Sequence, residues 1–299
     1  MNQMVSVIIT TYKRKTDILK RAIDTVYSQT YKNIEIIVVN DYPPYGDMIA
    51  KFLENYPQIK YLGHTENKGA CKSRNDGISI AKGDYIAFLD DDDEWQTSKI
   101  EHQVEAIIRE NVDLVYCSGV YNMPDGTTKR MDFIKATGKN PIEDLLLNNC
   151  VGGCSFPLIT KSILTQVGGF NEKMPSSQDY DLWVRICQRG KLFYLDEKLV
   201  RYNLQEDSIT ANYLKRKDGY YLMLYNHNDL YKKYPTAATE MYKRIARMAY
   251  INKDYDGIIE ALMKSFSYFP HNFAVCAVCF KLYILLLKES RKSRRDYIK

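Results

Sequence analysis

The 299-residue chain contains no run of about 20 apolar residues, so no segment reads as a membrane-spanning helix. The N-terminal apolar stretch "VSVIIT" is short and is followed by "YKRK", the reverse of the order in a secretory signal. Seven cysteines are an odd number without framework spacing, which points to reduced thiols in a cytoplasmic setting. Cys276 and Cys279 form C-x-x-C, but inside the apolar run "FAVCAVCFKLYILLL", where packing is preferred over a redox or zinc role. Four scattered histidines supply no second ligand cluster. The net charge of +5 is too small for a dedicated nucleic-acid binder, and no nucleic-acid partner is expected. Neither G-x-x-x-x-G-K-[ST] nor G-x-G-x-x-G occurs, which removes the two commonest glycine-loop nucleotide sites.

Present instead are 45% apolar and 26% charged residues, the balance of a globular chain with a substantial core. Over the first 120 residues two periods alternate. Short β-branched runs at 5–10, 34–40, 59–62, 84–90 and 113–118 read as buried strands. Between them "TDILKRAIDTVYSQ", "GDMIAKFLENY", "GACKSRNDGISIAK" and "QTSKIEHQVEAIIREN" read as helices, with Thr16 as the cap of the first. Such alternation predicts an α/β fold, a mostly parallel sheet with helices on both faces, and ligands beyond the carboxyl ends of its strands. Further on, "NMPDGTTKR" suggests a hairpin turning at Asp125-Gly126, and "NPIEDLLLNN" and "QDYDLWVRICQRG" suggest helices. From about residue 213 the pattern is helical, with one helix–turn–helix unit over "RIARMAYINKDYDGIIEALMKSFSYFP". The expected division is 1–212 and 213–299.

The strand ends carry the chemistry. "YIAFLDDDDEW" sets five acidic residues directly after a buried run, and their mutual repulsion calls for a cation or a set of donors. An EF-hand would use Asp90, Asp92, Glu94 and Glu101, but Trp95 stands where that loop needs glycine. Thr10, Tyr12 and Arg14 follow the first strand, a polar and aromatic cluster suited to a planar ring. Asp41 ends the second strand, where a carboxylate accepts the N3–H of uracil or thymine and finds no such proton on cytosine. Gly69 opens a helix flanked by Lys68, Lys72 and Arg74, a setting for phosphate. A hard divalent ion joining a diphosphate to the carboxylates unites these features.

In order and spacing, "VSVIITTYKR", "EIIVVND", "NKGACKSRNDGI", "GDYIAFLDDDDEW", "GGFNE" and "SSQDYDLWVRI" resemble the family 2 inverting glycosyltransferases of the GT-A fold, over roughly residues 4–210. The resemblance implies a GT-A domain followed by a C-terminal helical region. It implies that Asp90 and Asp91 lie near the ribose of the donor and that Asp92 binds Mn²⁺ or Mg²⁺. Thr10, Tyr12 and Asp41 match its nucleobase pocket, Arg74 its basic residue near the pyrophosphate, and Asp179 its catalytic base. The partners so implied are a nucleotide-sugar donor, with UDP preferred, and a glycan or lipid-linked saccharide acceptor.

Two positions depart from the pattern: Gln178 replaces the usual glutamate before the base, and Gln205 stands where a metal-side histidine is common. The Q-x-x-R-W signature of processive synthases is absent, which favours transfer of a single sugar. A nucleotidylyltransferase would need a glycine-rich loop that "TTYKRKTD" lacks. A non-catalytic sugar-nucleotide binder or scaffold remains the rival class, and donor hydrolysis separates the two. The tail "KESRKSRRDYIK" after an apolar helix suits peripheral contact with an anionic inner leaflet.

Overall fold

The computed structural model describes residues 3–123, 127–131, 140–203, 212–268 and 273–296, with side chains in the last helix as far as Lys288. The Asp125-Gly126 turn and Gln205 lie outside the described residues. The chain forms two compact units, Met1–Lys173 with Gln178–Gln205, and Met174–Ser177 with Glu206–Lys299. The division falls seven residues before the boundary expected from the sequence, and the short Met174–Ser177 stretch groups with the second unit.

The first unit opens with β1 (Val5–Thr11), α1 (Thr16–Tyr27), β2 (Ile34–Asn40), α2 (Gly46–Leu53), β3 (Lys60–Gly63), α3 (Ala70–Ile80), β4 (Tyr85–Asp90), β5 (Glu94–Trp95) and α4 (Lys99–Glu110). It continues with β6 (Leu114–Asn122), β7 (Thr128–Arg130), α5 (Pro141–Asn148), β8 (Pro157–Thr160), α6 (Lys161–Val167), α7 (Gln178–Cys187) and β9 (Leu192–Asn203). The sheet runs β3-β2-β1-β4-β8-β6-β9-β5, with β7 on β6. β1 to β4 pair in parallel, as their unbroken apolar runs require, and β6 pairs in parallel with β9. β8 enters antiparallel between β4 and β6, so the sheet is mixed in its second half. β6 and β7 form the expected hairpin pairing.

Register aligns the functional ends. Thr10 lies opposite both Val39 and Asp90, so the tips of β1, β2 and β4 finish together. The strands bury Val7, Ile9, Val38, Ala87 and Leu89 against α1 and its neighbours. Each buried Val, Ile or Leu side chain among them contributes about 1.5–3 kcal/mol relative to exposure. α3 packs unusually close to β1: a Cβ on Gly77 would lie 2.5 Å from Ile8 Cγ2. Any other residue there would push α3, and the arginine it carries, away from the strand tips. Thr16 is the first helical residue of α1 and not its cap; Lys15 holds that place without a side-chain hydrogen bond. Asp17 in the first turn supplies the favourable charge instead.

In the second unit α8 (Tyr213–Asn226), α9 (Asn228–Lys233), α10 (Pro235–Ile251), α11 (Tyr255–Ser265) and α12 (Phe273–Asp296) follow one another. The expected helix–turn–helix is α10 and α11. Lys253 takes a left-handed φ of 57° at the turn, and Asp254 caps α11 by accepting from Gly257 N at 2.7 Å. Cys279 is buried and Cys276 partly so, both as free thiols, in keeping with packing. No helix among the described residues is long and apolar enough to cross a membrane.

Candidate active site

The β1 tip, the acidic turn after β4 and the start of α7 converge through charge. Arg14 reaches across to the turn, donating from Nε to Asp91 Oδ1 at 3.3 Å and from Nη2 to Asp92 Oδ2 at 2.8 Å. Arg74, buried on α3 over the Phe170 ring, donates to Asp90 Oδ1 at 2.7 Å. The chain itself therefore supplies two of the cations that the acidic run demands.

They do not satisfy it. Burial pushes the Asp91 carboxyl up to about 7; Thr11 and Arg14 oppose the rise, and Asp92 and Asp90 add to it. Asp91 Oδ2 is buried without a hydrogen-bond partner, and so is Thr11 Oγ1; the two influence each other without forming a well-made bond. Asp92 is likewise raised by burial and by Asp90. Asp93 is fully buried and pushed well above the usual range, by burial first and Asp90 next.

A brace unforeseen from the sequence holds this turn. Ser155 Oγ donates to Asp93 Oδ2 at 2.6 Å and accepts from Asp90 N at 3.1 Å. Asn203 N donates to Asp93 Oδ1 at 3.2 Å, and Asn203 Nδ2 donates to the Asp92 carbonyl. The segment "CVGGCS" thus runs beside the acidic turn. Trp183, which the sequence leaves open between acceptor site and core, is fully buried and donates to the Gly152 carbonyl at 2.8 Å, supporting that segment. Glu101, the last EF-hand position, accepts instead from Thr30 Oγ1 at 2.6 Å.

Asp179 lies in the first turn of α7 and accepts the N–H of Tyr180 at 2.7 Å. The residue is half-buried at the surface of the unit. Burial lifts the carboxyl to about 6, against the pull of the Tyr180 N–H and of Arg74 and with the push of Asp90. Arg74 and Asp90 thus act on Asp179 and on each other. Two residues on, buried Asp181 pairs with Arg185 at 2.8 Å, and Arg185 also donates to the carbonyls of Val167 and Gly169. Asp181 is committed to structure.

Asp41 is held differently. Its Oδ1 accepts from Lys68 N and its Oδ2 from Gly69 N, both at 2.8 Å. The loop ahead of α3, with Gly69 at a φ of 85°, therefore already turns two amides toward a carboxylate of the chain. His64, absent from the sequence-derived set, lies 2.8 Å from Asp41 Oδ1. Tyr12 is 43% exposed, and its ring meets Tyr42 edge-on at 5.4 Å, with Tyr42 edge-on to Tyr45 at 4.9 Å. Tyr42 and Tyr45 are further residues outside the sequence-derived set.

A sequence model described as Glycosyl transferase family 2 matches residues 6–164. The chain belongs to that family. A glycosyltransferase relative named UDP-Glc:alpha-D-GlcNAc-diphosphoundecaprenol beta-1,3-glucosyltransferase WfaP, from Escherichia coli, is 34% identical over 222 residues, covering 71% of this chain and 82% of the relative. An uncharacterized glycosyltransferase of Rickettsia felis is 35% identical over 206 residues, covering 66% of this chain but only 34% of its own length; the family 2 chain thus spans about a third of that relative. Among solved structures, S. aureus TarS 1-349 in complex with UDP-GlcNAc superposes with a TM-score of 0.70 at 14% identity, over 97% of this chain and 92% of that one. At that identity the likeness is one of fold, and it bears out the α/β GT-A architecture.

The acidic turn fits a divalent ion as a partial ligand set. Among the described residues no three acidic, histidine or cysteine side chains converge as a ready cage. Asp92 offers a carboxylate whose charge is under-compensated, and Asp91 Oδ2 is an orphaned buried oxygen. An ion bound here would draw its remaining oxygens from phosphate and water, as Mg²⁺ commonly does.

Proposed function

We propose that residues 1–212 transfer a single sugar from a nucleotide-sugar donor, with UDP as the nucleotide, to a hydroxyl of a glycan or lipid-linked acceptor, with inversion. The observation that carries the reading is the convergence of Asp90, Arg74 and Asp179 beside an acidic turn with unmet charge. Family membership and the names of relatives such as WfaP support the donor and acceptor classes.

Thr10 and Tyr12 line the base end and Asp41 accepts the base N3–H, while Asp90 and Asp91 take the ribose hydroxyls. Arg74 and Lys68 offset charge on the diphosphate, and Arg14 holds Asp91 and Asp92 in place until the donor arrives. A Mn²⁺ or Mg²⁺ ion, held by Asp92, would supply positive charge to the leaving diphosphate. Asp179 accepts the proton of the acceptor hydroxyl as that oxygen attacks the anomeric carbon opposite the leaving group. With its carboxyl raised only to about 6, Asp179 is ionised at neutral pH and still a stronger base than an ordinary aspartate. Arg74, already paired with Asp90, is placed to stabilise charge growing on the leaving side.

Peripheral contact with an anionic inner leaflet belongs to the same reading. Phe273 and Phe280 stand exposed on α12, seven residues apart on one face, and the sequence turns basic beyond them. Aromatic anchors followed by cations complement an anionic bilayer. Co-sedimentation with anionic vesicles should fall with salt and with Phe273→Ser/Phe280→Ser; equal recovery in the supernatant with and without vesicles removes this part.

The function is tested by screening nucleotide sugars for hydrolysis and thermal stabilisation, with Mn²⁺, Mg²⁺ or EDTA. UDP-sugars should stabilise the protein and be slowly hydrolysed with metal. Stabilisation without hydrolysis or transfer under any condition would favour the non-catalytic binder, and a preference for GDP-sugars would overturn the base assignment.

A further inference from the structure

Asp41 ends β2 at the place proposed to read the nucleobase, and the side chain that controls it comes from beyond β3. His64 is buried, with Nδ1 2.8 Å from Asp41 Oδ1 and Nε2 3.1 Å from Asp76 Oδ2. Behind it, Lys72 Nζ donates to Asp76 Oδ1 at 2.6 Å. Against its partial burial, Lys72 and His64 hold the Asp76 carboxyl below its usual range. Asp76 is therefore an acceptor, and the facing Nε2 must donate to it. At 2.8 Å two facing lone pairs would repel, so a proton also lies between Nδ1 and Asp41 Oδ1. The amides of Lys68 and Gly69 are aimed at the same carboxylate, one at each oxygen. Nδ1 is thus placed as the donor to Asp41 Oδ1.

We propose that His64 is a positioning and specificity-determining residue: it fills the second acceptor site of Asp41 Oδ1 and so leaves a single free acceptor site, on Oδ2, for the nucleobase. A carboxylate offers about four lone-pair sites. His64 and Lys68 N occupy the two on Oδ1, and Gly69 N occupies one on Oδ2. The one site left accepts one N–H, which uracil provides at N3 and cytosine does not. Without His64, a second site on Oδ1 opens and the carboxylate is free to turn toward water or toward a cytosine amino group. Asp76 and Lys72 act at one remove, by orienting the ring. This inference rests on the reading of Asp41 as the base-recognition residue.

The test is calorimetric titration of UDP and CDP into the full chain and into His64→Leu, His64→Asn and Asp41→Ala, each checked for folding by thermal unfolding. His64→Leu should weaken UDP by about tenfold, the scale of one hydrogen bond to a charged group, and should shrink the preference for UDP over CDP. His64→Asn, whose amide donates from near the position of Nδ1, should recover most of that preference. In transfer assays the donor KM should rise in His64→Leu while kcat at saturating donor holds. Wild-type preference in His64→Leu, beside lost preference in Asp41→Ala, would overturn the role of His64 and leave the base assignment standing. Wild-type preference in Asp41→Ala would overturn both. Equal weakening of UDP and CDP in His64→Leu without recovery in His64→Asn would mean a purely structural histidine, which also overturns the proposal.

Discussion

Asp41 and the acidic turn after β4 stand at strand ends on either side of β1 and are built on opposite plans. Asp41 receives three donors from the chain itself, two of them backbone amides. Asp91, Asp92 and Asp93 share too few donors for their number, and burial leaves each carboxyl raised. The contrast repeats within one turn of α7, where Asp181 is closed by Arg185 while Asp179 is lifted to about 6. A carboxylate that is filled positions something; one left short of donors is placed for a proton, a metal ion or a ligand hydroxyl.

Breaking the under-satisfied group should cost most. Asp179→Asn keeps shape and removes the proton acceptor, and kcat should fall by about 10²–10⁴-fold, the usual contribution of a general base. UDP affinity should stay nearly unchanged, as titration of the variant would show. Wild-type kcat should also decline as pH drops through about 6, where Asp179 takes up its proton. A variant that keeps more than about a tenth of wild-type kcat places the base elsewhere. Asp92→Ala should lose most transfer activity yet unfold at a temperature no lower than wild type, because it removes one of several crowded, partly compensated charges. Its Arg14 partner is left with Asp91, 3.3 Å away.

The filled group gives the smaller, structural effects. Asp181→Asn should leave kcat within a few-fold and cost about 2 kcal/mol of stability by weakening a buried pair, measured by chemical denaturation. Lys99 supplies the smallest contrast, a buried cation away from both groups. It lies 4.0 Å from the Trp95 ring centroid, with Gln103 Oε1 as its acceptor at 2.7 Å, and burial lowers its pKa to about 8. Because the folded value lies below the unfolded one, the unfolded chain binds the extra proton between about pH 8 and 10.5, and stability rises with pH across that window. The penalty below pH 8 is about 3 kcal/mol. Lys99→Met should therefore stabilise by about 1 kcal/mol at pH 7, after allowing for the hydrogen bond lost at Gln103, and the gain should shrink toward pH 10. A gain that grows with pH would contradict the sign.

Much of this arrangement was legible in the sequence for a physical reason. β1, β2 and β4 are covered on both faces, so their apolar runs are continuous and their polar ends stand out. The acidic run, Asp41 and the helix start at Gly69 all announce themselves at such ends. β8, only four residues long, and β9, whose charged residues interrupt its period and whose pairing with β6 shifts register near Ser118, gave no comparable signal. Ser155, Asn203 and His64 were invisible for another reason. Each acts through a partner at least 23 residues away, and no local spacing betrays a tertiary hydrogen bond. Arg14 was placed at the nucleotide, but its pairing with the acidic turn likewise needed the fold.

The central claim is that the acidic turn carries unmet negative charge that a divalent ion and a diphosphate complete together. Titration of UDP into the wild-type chain, once with Mn²⁺ and once with EDTA, tests it most directly. The account predicts affinity at least about tenfold higher with Mn²⁺, or 1.4 kcal/mol, and loss of that gain in Asp92→Ala. Equal affinity in Mn²⁺ and EDTA, or a metal gain that survives Asp92→Ala, would contradict it.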